Sequence, residues 1–91
     1  MPLTDQEARE ELRYAVRRYL AARPQAALTL DMIRHGLRLK GINVEEADLS
    51  AALTFWMNDT PAQVMGHKRK HSSIESYQIS TAGIVADERG E

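Results

Sequence analysis

"LDMIRHGLRLKGINVEEADLSAAL", residues 30–53, carries two helical patterns on either side of a turn. Leu30, Ile33 and Leu37 form one inward stripe at helical spacing, and Thr29 stands before them as a cap. Gly41 supplies the left-handed position that ends such a helix, and Ile42 the apolar contact that closes it. Only Ile42-Asn43-Val44 then precedes a further helix, opened by Asn43 or Glu45, whose buried face is Leu49, Ala52, Leu53 and Trp56. Two helices joined by so short a Gly-containing turn predict a helix-turn-helix. Gly36, inside the first of them, costs about 1 kcal/mol relative to Ala. A close approach of another helix is the usual compensation, and a merely tolerated glycine is the alternative.

Upstream, Thr4-Asp5-Gln6-Glu7 fits a capping box. Ala8, Leu12, Ala15, Val16 and Tyr19 follow on one helical face, and Arg9, Arg13 and Arg17 make a row on another. Arg23-Pro24 ends this helix, because proline disfavours helical geometry in the residue before it. A short extended segment, Ala26 to Leu28, comes next. Downstream, Asn58-Asp59-Thr60-Pro61 breaks the third helix and the period changes to two. "AQVMGH" and "SIESYQIS" read as strands, with Tyr77 and Ile79 on one face, and "GHKRKHSS", residues 66–73, is the tip between them. Ser80 or Thr81 starts a last short helix. The expected layout is a single domain over 1–91, α+β and mainly helical. Its helices cover 4–22, 29–40 and 44–58, a hairpin covers 62–80, and a short helix covers 81–88.

This order resembles a winged helix-turn-helix domain, with a two- or three-stranded wing sheet. The local likeness is carried by residues 30–53 and by "YQISTAG", residues 77–83, which is similar to the Tyr-x-Leu-Thr-x-x-Gly ending that follows the wing in many such regulators. The resemblance implies a third helix in the major groove of duplex DNA and a wing on phosphates or in the minor groove. Ser50, Thr54 and Asn58 would then meet base edges, with Ala47 and Ala51 on the same face. His67, Lys68, Arg69, Lys70 and His71 would form the wing tip. Arg34 and Arg38, with Lys40, Arg13, Arg17 and Arg18, would follow the phosphate backbone, unless these rows are only a solvated face. The expected function is a small DNA-binding protein, a transcriptional regulator or a phage- or plasmid-type accessory factor. Such folds also dock proteins, so the alternative is an interaction module or homodimer that binds no DNA.

The charge pattern cuts both ways. The net charge of −1 conceals segments of −3 (residues 1–12), +6 (13–40) and −4 (41–61), and then three cations at the hairpin tip. No Lys or Arg occurs between Gly41 and Gly66, while Glu45, Glu46 and Asp48 crowd the start of the third helix. Those acids complement the helix dipole, and they also repel phosphate. The absence of cysteine excludes thiolate metal sites, disulfides and cysteine nucleophiles. No apolar run approaches the ~20 residues of a membrane span, and a cytoplasmic, non-membrane protein is expected. His67 and His71 are four apart, but with three cations between them on a hairpin tip they make a poor metal pair. His35 reads as structural, and one of the neighbours Phe55 and Trp56 must leave the core. No motif pairs a nucleophile with a base or cradles a phosphate, so neither enzyme activity nor a cofactor is expected.

Overall fold

The computed structural model describes residues 5–68 and 73–91. It is α+β and mainly helical, in the order α1 (Asp5–Ala21), α2 (Leu30–Leu39), α3 (Glu46–Met57), β1 (Val64–Lys68), β2 (Ile74–Ile79) and α4 (Thr81–Arg89). Each boundary has a local cause. The Thr29 hydroxyl accepts from the Met32 amide at 3.2 Å and so caps α2. At the other end Gly41 has φ +83°, the Gly41 amide donates to Arg38 and the Ile42 amide to Leu37. That reciprocal pair satisfies two carbonyls that the helix end would otherwise orphan. Glu45 precedes α3 without a side-chain cap bond, and Glu46 and Asp48 occupy its first turn. Thr4, the first residue of the expected capping box, lies outside the described residues.

The core is the convergence of four stripes. Val16, Tyr19 and Leu20 from α1 meet Ile33 and Leu37 from α2 and Leu49, Ala52, Leu53 and Trp56 from α3, with Val64, Tyr77 and Ile79 of the hairpin closing one side. Gly36 lies under Tyr19, and a Cβ there would overlap the tyrosine hydroxyl and ring. The close approach of α1 to α2 is therefore what the missing side chain makes room for. Among the described residues no helix is long and apolar enough to cross a membrane.

The hairpin is antiparallel, with Val64 opposite Ile79 and Gly66 opposite Tyr77. Its register slips between His67, opposite Ser76, and Lys68, opposite Ile74, so Glu75 is the extra residue of a bulge. On its other edge Tyr77 exchanges both backbone hydrogen bonds with Leu28, each at 2.8 Å. A one-residue third strand thus ties the segment before α2 to the hairpin. The Ser80 hydroxyl then donates to the Ala62 carbonyl (2.6 Å) and accepts from the Gly83 amide (3.1 Å), capping α4 against the start of β1. Gly83 is required there, because a Cβ would run into the Gln63 carbonyl.

Two outcomes are expected from this packing. Gly36→Ala should destabilise by roughly 1–3 kcal/mol through overpacking, in spite of alanine's better helix propensity. Gly41→Ala, with open space around it, should cost about 1 kcal/mol from backbone strain alone. Urea unfolding measures both, and a stabilised Gly36→Ala would refute the close contact with Tyr19. Burial also raises the Tyr77 phenol above its ordinary 10.0. The unfolded chain then ionises first as pH climbs past that value, so stability is unaffected below it and declines above it. Tyr77→Phe should remove part of that alkaline decline, as read from unfolding curves at stepped pH.

Candidate nucleic-acid interface

Helix α3 turns Leu49, Ala52, Leu53 and Trp56 inward, which leaves Ala47, Ala51, Thr54 and Asn58 exposed and Ser50 half-buried at the margin. The outward face is small and polar. A shallow groove runs along it, bounded on the α1 side by Arg13 and Phe55. On the other side the hairpin lies against α3. A Cβ at Gly66 would stand 2.9 Å from the Met57 Cε and 3.0 Å from the Ile74 Cδ1, so the glycine lets strand and helix meet. Beyond that contact the hairpin leaves the body, and Met65, His67 and Lys68 are exposed. His67 Nε2 sits 3.0 Å from the Gln78 Oε1, and the Gln78 side-chain amide donates to the Pro24 carbonyl. The structure therefore sets the C-terminal end of α3, at Met57, against the hairpin that carries His67 and Lys68, while Ser50, Thr54 and Asn58 line the groove along the helix. The remaining expected tip residues, Arg69, Lys70 and His71, lie outside the described residues.

The cations of residues 13–40 are distributed differently from the expected phosphate track. Arg17 is the clearest correction: placed in a surface row by its spacing, it is only 2% exposed. Its Nη1 donates to the Gln63 Oε1 at 2.9 Å, its Nη2 donates to the Glu91 carbonyl, and its Nε lies 3.7 Å from the Asp87 carboxylate without a hydrogen bond. The guanidinium also stands 4.8 Å from the Trp56 ring centroid. It joins α1, α3, α4 and the loop before β1. Arg13 stacks on Phe55 at 3.9 Å, Arg23 covers Tyr19 at 4.0 Å, and Lys40 approaches the same ring at 5.9 Å. Arg34 Nε donates to the Val44 carbonyl (2.9 Å), and Arg34 and Arg38 both line a groove between α1, α2 and the start of α3, together with Glu11, Glu45 and Asp48.

Sequence reasoning passed over Tyr14. It is 49% exposed and meets the Trp56 ring edge-on, with centroids 5.7 Å apart, while Phe55, 43% exposed, meets it at 5.0 Å. Trp56 itself is inside, its indole N–H donating to the Arg13 carbonyl at 2.8 Å. Tyr14 stands one turn before Arg17, and that spacing was the available sign that both lean on α3. Comparisons of the chain with models of known protein families, with curated proteins and with solved structures find no match.

Burial separates the two arginines near Asp87. Arg17→Ala should cost roughly 2–4 kcal/mol, since it strands a partly buried carboxylate and empties a packed site. Arg18, 78% exposed and 4.0 Å from the same carboxylate, should cost less than about 0.5 kcal/mol on the same change. Denaturant unfolding of the two variants tests this, and comparable losses would contradict a structural role peculiar to Arg17.

Proposed function

We propose that the chain is a winged helix-turn-helix domain that binds duplex DNA, with the hairpin as its main phosphate contact and α3 as a weak reader. The observation that supports this is the contact of α3 with a bulged hairpin at Met57 and Gly66, a hairpin whose first strand ends at Lys68 and is followed in sequence by Arg69 and Lys70. Ser50, Thr54 and Asn58 offer hydrogen bonds of the kind that base edges accept or donate. None of them makes the bidentate contact that arginine makes to guanine, and only Asn58 has a bidentate contact available, to adenine, so α3 discriminates through few positions. Glu46 and Asp48 in the first turn of α3 oppose phosphate at the helix start, which moves the favourable electrostatics to the hairpin. The biological role that fits is a regulator or accessory factor acting on DNA without chemistry of its own.

A salt-titrated mobility shift on mixed-sequence duplexes tests the reading. Affinity should fall steeply with salt, and replacing Lys68, Arg69 and Lys70 with Ala should reduce the logarithmic slope by roughly 2–3. Thr54→Ala should weaken binding with little change of slope. Failure to bind at low salt would sink the proposal.

A second reading has its own support in the Tyr14–Arg13–Phe55 border of α3. Aromatic and arginine side chains around a half-open groove are the usual anchors of a protein contact. A docking module would keep its partner in high salt, which a DNA binder led by its hairpin would not explain, and would lose it on Thr54→Asp or Ala51→Asp.

A further inference from the structure

The groove between α1, α2 and the start of α3 has walls of opposite charge that do not neutralise each other. Arg34 and Arg38, one turn apart on α2, form the basic wall, and Glu11, Glu45 and Asp48 form the acidic one. Among the described residues no ion pair within 4.0 Å joins these walls. Arg34 is already held by its Nε on the Val44 carbonyl, so its two terminal nitrogens present a fixed edge, the geometry that suits a carboxylate. The floor between the walls is half-buried Leu12, Ile42 and Val44. Such a surface is an apolar centre with a charged rim of both signs.

We propose that this groove is where two copies of the chain pair across a two-fold axis. The occupant follows from the charges. A molecule that fits must set carboxylates against Arg34 and Arg38 and cations against Glu11, Glu45 and Asp48. In charge pattern, the same groove turned by a two-fold rotation has that arrangement and so complements itself. The net charge of −1 adds almost no long-range repulsion between copies. Asp48, in the groove, and Met57, against the hairpin, are nine residues apart on α3, which is about half a turn around the axis at roughly 100° per residue. The pairing surface and the hairpin therefore flank opposite sides of α3, and this inference does not rest on DNA binding.

Charge exchange tests it. Sedimentation of the whole chain at low salt should show a reversible dimer that weakens as salt rises. The acid-only variant R34E/R38E and the predominantly basic variant E11K/E45K, which keeps Asp48, should each lose roughly tenfold or more in self-association. Mixed in equal amounts, they should pair with each other at least as well as the parent chain does. Circular dichroism checks folding, and the milder pair R38E and E45K, both at exposed positions, replaces the doubles if either unfolds. Three results would overturn the proposal: a parent chain that stays monomeric at every concentration, variants that dimerise like the parent, or a mixture that fails to pair. Pairing and DNA shift are separate measurements, so the loss of one leaves the other standing.

Discussion

The backbone of Tyr77 holds three parts of the molecule in place at once. On one edge it stands opposite Gly66 of β1, on the other it exchanges hydrogen bonds with Leu28, and its ring is buried against the helices. A backbone group removed from water must find a partner, so the segment before α2 cannot shift relative to the hairpin without orphaning two amide groups. Three residues later Ser80 uses its donor on Ala62 and one acceptor lone pair on Gly83, so one hydroxyl ties the segment before β1 to the start of α4. The direction in which the hairpin leaves the body, and hence its place beside α3, depends on these two positions. Within and after the hairpin, Gly66 and Gly83 are points where backbone and neighbour come too close for a Cβ, as at Gly36 between α1 and α2.

Cations in this chain divide between holding the fold and facing solvent. Arg17, Arg13 and Arg23 are committed to aromatic rings and carbonyls of the protein, and Arg34 is half committed to Val44. A tally of charge over residues 13–40 therefore overstates what reaches a ligand. The acids at the start of α3 remain exposed. A nucleic acid approaching the outward face of α3 meets a neutral-to-acidic helix flanked by a basic hairpin, and the energetic weight of any contact lies on the flank.

Much of the framework was legible in residues 30–53. Thr29 and Gly41 act through neighbours within two turns, and the Leu49–Trp56 stripe is a spacing within one helix, so both are written locally even though the stripe's partners are distant. Gly36 was half legible: its cost was plain, but its compensation required knowing that Tyr19 lies over it. Arg17 was misread because its partners, Gln63, Asp87 and Glu91, are far along the chain. Helical spacing assigns a residue to a face and cannot say that a later element will cover that face. The same limit applies to Arg34 and Arg38, because spacing on α2 could not say that α1 and the start of α3 would bring Glu11, Glu45 and Asp48 into the groove that they line.

The two proposals bear on each other through those carboxylates. In a single copy Glu45 and Asp48 form no ion pair among the described residues and stand near the end of α3 that a phosphate backbone would approach, and their repulsion works against binding. Two copies joined through the groove would set each copy's Glu45 and Asp48 against the other's Arg34 and Arg38. The contact that holds the pair would then remove part of the charge that opposes DNA, and it would present two hairpins in place of one. Binding energies coupled in this way are reciprocal: whatever pairing contributes to DNA affinity, DNA must return to pairing. The acidic start of α3, which counts against nucleic-acid binding in an isolated chain, becomes in a symmetric pair the reason that pairing and binding favour each other.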